Sequence, residues 1–325
     1  MLTRRSVLTS TTGVALSVAG LVPPVAAQLR LKTAHVLTGY TPGLPDAVAR
    51  LVAGRMKDYA ESIVIETRPG ASGRIAIEAV KSAEADGSVM LLAPLGFIAL
   101  FPHIYKTLAY VPEDFTPVST VGSFATLLAI GPKVPQDVGS IADFVAWCRA
   151  NPTQATYGTP GVGTTLHFIG AMLGRTAGFD YVHVPYQGRG AVQDLLKGEI
   201  ASAVMPVDSL LGQVQAGQLR ALATTGPNRL GTLPDVPTVA QAGYPALQDL
   251  TWFGIFLPAK TPPAIVEQLN SAIQASLRTE EVRSGMAKLS VDVDAIAMND
   301  FARLLASESV RWKGIVQATG FTPTG

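Results

Sequence analysis

Short apolar runs alternate with helix-period segments through most of this chain, and that alternation narrows its fold more than any other feature. "KTAHVLT" reads as a strand, and "DAVARLVAGRM" follows the breaker-rich "GYTPGLP" with Val48, Leu51, Val52 and Met56 on one helical face. Next come the strand "SIVIE", the loop "RPGASG", a helix carrying Ile75, Ala76, Ala79 and Val80 to about Lys81, and the strand "SVMLLAP". A strand-loop-helix unit repeated in this way predicts a mostly parallel sheet with helices on both faces, because a parallel connection has to cross over the sheet.

A second set starts near residue 130. It runs through the helix "SIADFVAWCRANP", the strand "QATYGTP", the glycine-rich turn and helix "GVGTTLHFIGAMLGRTAG", the strand "YVHVPYQ", the helix "RGAVQDLLKGE" and the strand "IASAVMP". "LPDVPTVAQAGYP" reads as a proline-rich surface segment. "WFGIFLP" is a late strand, Val266, Leu269, Ile273 and Leu277 mark a long helix, and Phe301, Leu304 and Leu305 mark a final one. At 325 residues the chain fits two domains better than one. Two α/β lobes leave a cleft between them, and open α/β sheets bind ligands beyond the carboxyl ends of their strands. The loops that matter are therefore "TGYTPGLPD", "ETRPGASG", "APLGF", "GTPGVGTT", "PYQGRG" and "MPVDS".

Charge narrows the partner. Lys and Arg number 25 against 24 Asp and Glu, so the broad basic footprint that nucleic acid or an anionic membrane attracts is missing, and no nucleic-acid partner is expected. The first residues, "MLTRRSVLTSTTGVALSVAGLVPPVAAQ", have Arg4 and Arg5 ahead of an apolar run, then Val25, Ala26 and Ala27 as a small-residue cleavage site. Residues 1–27 are expected to be an export signal cleaved near Ala27, by the twin-arginine or the general secretory route. The run is too short and too broken by Ser, Thr and Gly for a spanning helix, which wants about 20 apolar residues. One cysteine, Cys148, allows no internal disulfide and sits in an amphipathic helix, where a buried inert thiol is expected.

Catalytic signals are weak. His35, His103, His167 and His183 are scattered without the i, i+4 spacing of a helical metal site, so neither a metal nor any other cofactor is expected. "GASGR" is one residue out of step with the G-x-S-x-G nucleophile elbow, "RPGASGR" lacks the Lys-Ser or Lys-Thr pair of a phosphate loop, and in "GVGTTL" Leu166 stands where the dinucleotide fingerprint has its third glycine. An exported hydrolase using Ser72 remains a rival. Binding signals are better. Thr164 and Thr165 open a helix after Gly161 and Gly163, where N-H groups and hydroxyls can meet an anion, or where one threonine simply caps the helix. Tyr40, Phe97 and Tyr186 lie in or beside loops at strand ends, as ligand wall or as core cover. Asp46 and Arg68, Arg74 and Arg189 have ordinary structural readings at a helix start and on the surface.

Together "TRPGASGRIAIEAVKSAEADGSVMLLAP", "DFTPVSTVGSF", "YVHVPYQGRGAVQDLLKGEI", "AGQLRALATT", "LPDVPTVAQAGYP" and "WFGIFLPAKTPPAIVEQLN" resemble, in order and spacing, the solute-binding proteins of tripartite tricarboxylate transporters, the Bug family. The resemblance runs from about Lys32 to the C-terminus. It implies a periplasmic, monomeric, non-catalytic binding protein of the Venus-flytrap, type II-like kind, each α/β lobe a mixed, mostly parallel sheet flanked by helices, with lobe 1 over residues 28–128 and 251–325 and lobe 2 over 129–250. It also implies a small organic carboxylate as ligand and the subunits of a membrane permease as partners. Family contacts carry over to Tyr40, Thr41, Gly43, Asp46, Leu95, Gly96 and Phe97 in lobe 1, and to Thr159, Gly163, Thr164, Thr165 and Tyr186 in lobe 2. Asp208 stands three residues beyond Met205, where the family often has an aspartate. Leu44 and Pro45 replace the family's glycine and hydroxyl residues in the first loop, Pro45 removes a backbone donor, and "PLGF" is more apolar than usual. These departures imply fewer carboxylate donors and an aromatic or otherwise bulky ligand. A sensor subunit that presents its ligand to a membrane receptor is the other alternative.

Overall fold

The computed structural model describes residues 30–187, 190–296 and 298–322. The export signal expected over residues 1–27, and Arg189, lie outside the described residues. The chain begins with β1 (Leu31–Thr38), α1 (Leu44–Ala53), β2 (Ala60–Thr67), α2 (Arg74–Lys81), β3 (Val89–Pro94), the short helices α3 (Gly96–Ala99) and α4 (Phe101–Ile104), and β4 (Phe115–Phe124). It continues through β5 (Thr126–Ile130), α5 (Ile141–Ala150), β6 (Thr156–Thr159), α6 (Thr165–Ala177), β7 (Val182–Pro185), α7 (Gly190–Lys197), β8 (Ser202–Pro206), α8 (Val207–Gln215) and β9 (Arg220–Thr224). It returns in β10 (Thr251–Pro258), followed by α9 (Pro263–Leu277), α10 (Glu280–Lys288), β11 (Val291–Asp292) and α11 (Met298–Thr319).

These strands form two sheets among the described residues, ordered β11-β4-β10-β3-β1-β2 and β7-β6-β8-β5-β9. Each has the same plan. Two strands flank a central parallel one, β2 and β3 beside β1, β7 and β8 beside β6, and one antiparallel strand, β10 or β5, is then inserted before β4 or β9. Most strands thus run one way, although about half of the ladders are antiparallel. The inserted strands are the crossings: β5 brings the chain into the second sheet and β10 brings it back. The crossings touch, since Thr126 N donates to the Thr225 hydroxyl at 2.9 Å and Asp249 N donates to Thr225 O at 2.9 Å.

Two-residue alternation in the strands feeds both faces of each sheet. In β1, Val36 joins Val48 and Val52 of α1 on one side, while Leu37 joins Ile77 and Val80 of α2 on the other. In β5, Leu128 and Ile130 face the α5 and α6 side, and Leu127 and Ala129 face α7 and α8. A capping box starts α5, with Asp143 N donating to the Ser140 hydroxyl and Ser140 N to the Asp143 carboxylate, both at 3.1 Å. Cys148 in that helix is fully buried, and burial pushes its thiol up to about 12. The last helix, α11, packs Phe301, Trp312 and Val316 against the first sheet's helices and brings Trp312 within 6.2 Å of Phe168 on α6. No described helix is long and apolar enough to cross a membrane.

Candidate functional site

Between the sheets lies a cavity of about 610 Å³, within the range of small-molecule sites. The loops that form it leave the carboxyl ends of β1, β2, β3, β6, β7 and β8, where the topology puts a ligand.

Close backbone approach shapes the floor. Gly70, Ala71, Ser72 and Gly73 are four consecutive residues with positive φ, at 130°, 47°, 56° and 95°. Ala71 and Ser72 are therefore held in a conformation that non-glycine residues rarely adopt, and "RPGASG" is a left-handed turn that α2 follows. A Cβ on Gly39 would lie 2.7 Å from the Gly73 Cα, and one on Gly73 would lie 2.2 Å from the Phe97 ring. The turn, the loop after β1 and Phe97 thus form one packed unit. Phe97 is 1% exposed and packs at a tilt between the rings of Tyr40 at 5.2 Å and Phe101 at 5.0 Å, so it lines the cavity as an anchored ring.

The turn also reaches across. Ser72 donates its hydroxyl to the Val162 carbonyl at 3.3 Å, joining the two halves of the cavity wall. The four histidines are engaged elsewhere: His35 with Glu66, His103 with Ser309, His167 with Gly163 N and His183 with Thr159. The Ser72 hydroxyl thus bonds a main-chain carbonyl, and each histidine bonds a group other than Ser72.

Of the expected contacts, Tyr40, Thr41, Gly43, Gly96, Phe97, Thr164, Thr165, Tyr186 and Asp208 line the cavity. Asp46, Leu95, Thr159 and Gly163 do not. Asp46 turns along its own helix to Arg50, at 3.0 and 3.1 Å. Leu95 is buried in the core with its N-H on Trp252 O. Thr159 is fully buried and bonds His183 Nε2 at 2.7 Å. Gly163, at φ +75°, gives its N-H to His167 Nδ1 at 3.2 Å and abuts Ile104 of the first half.

The lining residues differ in what they can still offer a ligand. Thr164 is the α6 N-cap: it accepts from His167 N at 3.2 Å and donates to Gly161 O at 3.0 Å, so its hydroxyl is spent on the helix start. Tyr186 donates to Asp194 at 3.0 Å and presents a ring face. Burial and Asp194 push its phenol up to about 12, and burial raises Tyr40 as well, so both stay neutral. The α1 N-terminus at Gly43 has no side-chain cap, and its first-turn N-H groups lie at the positive end of a helix dipole. Pro45 removes one of those donors. Asp208 lies in the first turn of α8. Among the described lining residues the ionisable side chains are these two tyrosines and Asp208.

Sequence reading missed several wall residues. Gly212 and Gln213 lie one helical turn beyond Asp208 and Ser209 on α8, so i, i+4 spacing from "MPVDS" was the available signal. Phe124, Thr251 and Phe253 come from the crossing strands, and no local pattern marks them as wall.

A family model described as "Tripartite tricarboxylate transporter family receptor" matches residues 48–321. Protein BugT of Bordetella pertussis (strain Tohama I) is 33% identical over 319 residues, covering 95% of this chain and 96% of that one. Among solved structures, R. palustris Rpa4515 with adipate superposes with a TM-score of 0.84 at 28% identity, covering 90% of this chain and 98% of that one. MatC (Rpa3494) from Rhodopseudomonas palustris with bound malate gives 0.80 at 28% identity, covering 87% and 98%.

Proposed function

The chain belongs to the tripartite tricarboxylate transporter receptor family, and from that premise we propose that it is an exported solute-binding protein that captures a small organic carboxylate by closing two lobes around it. The lobes are residues 28–128 with 251–325, and residues 129–250. They hinge where β4 passes into β5 and where the chain returns in β10. The loaded, monomeric protein delivers its ligand outside the cytoplasm to a membrane permease and performs no chemistry on it.

One observation carries this reading: strand-end loops from both sheets meet around one cavity of about 610 Å³, closed across by the Ser72–Val162 hydrogen bond. A ligand that touches both halves favours the closed arrangement by its extra affinity for it. Neutral N-H donors at the α1 and α6 starts suit a carboxylate, because an anion left without hydrogen bonds on burial is strongly disfavoured. The adipate and malate held by the two similar structures are consistent with that class. This chain's own wall points to a bulkier ligand. Leu44, Phe97, Phe101, Phe124, Met205 and Phe253 surround the space, and Pro45 supplies no N-H.

Calorimetry with benzoate, 3-phenylpropanoate and citrate tests the ligand class. Aromatic acids should bind and citrate should not. Binding of citrate with no aromatic acid bound would sink the bulky-ligand reading, and small-angle scattering that shows no contraction with a tight ligand would sink closure.

A further inference from the structure

A buried ion pair lies behind one part of the cavity wall. Asp249, 6% exposed, stands just before β10, and Arg311 of α11 donates to its Oδ1 at 2.5 Å. The same guanidinium holds Glu308 at 3.0 and 2.7 Å and lies over the Trp312 ring at 4.5 Å. Burial holds the Asp249 carboxyl above its usual range although Arg311 opposes that shift, and the short contact to the guanidinium is what keeps it paired as a carboxylate. A carboxylate fixed on a guanidinium in this way is an acceptor only.

Proton bookkeeping then runs outward. The Thr251 hydroxyl has one hydrogen and gives it to Asp249 Oδ2 at 3.4 Å. Thr165 Oγ1 lies 3.2 Å from Thr251 Oγ1, a pair in which either hydroxyl could donate by distance alone; the acceptor-only Asp249 carboxylate draws the Thr251 hydrogen, and this favours Thr165 as the donor in the pair. Both threonines line the cavity. Thr165 therefore faces the ligand with lone pairs and not with a proton. Glycine at position 96 leaves room for the Thr165 methyl, which would lie 3.3 Å from a Cβ there.

We propose that the Asp249–Arg311 pair sets the direction of this hydroxyl relay, so that the Thr165–Thr251 wall reads a hydrogen-bond donor, a hydroxyl or an amine, on the carboxylate ligand. Asp249 acts as a positioning residue, through Thr251 and Thr165. The proposal rests on the carboxylate-binding reading and narrows it to carboxylates that carry a donor group. The helix starts meet the carboxylate, and the relay meets the donor.

The test uses matched probes: succinate with malate, 3-phenylpropanoate with 2-hydroxy-3-phenylpropanoate, and benzoate with 4-hydroxybenzoate. In wild type, the hydroxylated member of at least one pair should bind about tenfold more tightly than its partner, the scale of one well-made buried hydrogen bond. Asp249→Asn lets the relay reverse, and the ratio should fall to about threefold or less. Arg311 keeps Glu308 in that variant, so no cation is stranded. Thr165→Val keeps the shape and removes the acceptor; it should give the same loss of ratio, and it serves where Asp249→Asn folds poorly. A general loss of structure weakens both members of a pair together and leaves their ratio unchanged. The inference is overturned if no pair discriminates, or if the ratio survives in both variants. If no carboxylate binds, the proposed function falls with it; if the plain acids bind without discrimination, only this inference falls.

Discussion

Ser72 shows how one residue ties the site together. Its backbone sits at φ 56° in a left-handed turn, a conformation that costs about 1 kcal/mol or more for a non-glycine residue, and its hydroxyl reaches the opposite wall at Val162. Ser72→Ala keeps the backbone and removes the cross-cleft bond. It should weaken ligand binding by about 0.5–1.5 kcal/mol, mostly through faster release, with little change in the melting temperature of the ligand-free protein. Stopped-flow release and calorimetry measure this, and unchanged release would remove the latch from the account. At this scale the sequence was only partly legible. Gly and Pro punctuate the loop after β1, so the loop itself could be read locally, while Tyr40, Thr41 and Gly43 within it were carried over as contacts from the family resemblance. Asp46 could not be told from a ligand contact, because the deciding fact is its bond to Arg50. Asp249 and Arg311 are 62 residues apart, and nothing local marks them as partners.

At the level of elements, periodicity located the strand-loop-helix units and their order, since amphipathic spacing is a local property. The crossing strands were harder. Strand direction leaves no mark on a two-residue pattern, so the antiparallel insertion of β5 and β10 was not legible in the residues themselves, although the family resemblance implies a mixed sheet; α8 was legible as a wall only at its start, where Asp208 lies. The α6 start carries a consequence of its own. His167, 8% exposed, accepts from Gly163 N through Nδ1 and stacks 4.1 Å from His183, with Tyr157 against both rings. Burial pushes His167 down to about 4, and burial with His167 as neighbour pushes His183 down to about 3. The unfolded chain takes up these protons below about 6.5, whereas the folded chain resists until about 4, so stability is full above 6.5 and is lost as pH falls between the two. His167 alone should contribute about 3 kcal/mol to that loss. Denaturant unfolding at pH 7 and 4.5 checks it: His167→Gln should flatten the pH dependence, and an unchanged slope would contradict the assignment.

On the scale of the whole molecule, the two sheets share one plan, and their strand ends point into a common cleft. The α11 helix spans both halves, packing Trp312 near Phe168 while Arg311 fixes Asp249 at the return crossing. That arrangement places a buried charge pair where closure would pivot. It also means that a ligand gripping both walls acts on the whole fold and stabilises it. The most direct measurement is a thermal-shift screen of residues 28–325 against a carboxylate panel, each acid paired with its neutral amide. At about 100 times its dissociation constant, a ligand adds roughly 2.7 kcal/mol. The account predicts a clear rise in melting temperature with at least one carboxylate and none with the matching amide; a panel in which no carboxylate raises it, or in which amides do so equally, would contradict the account.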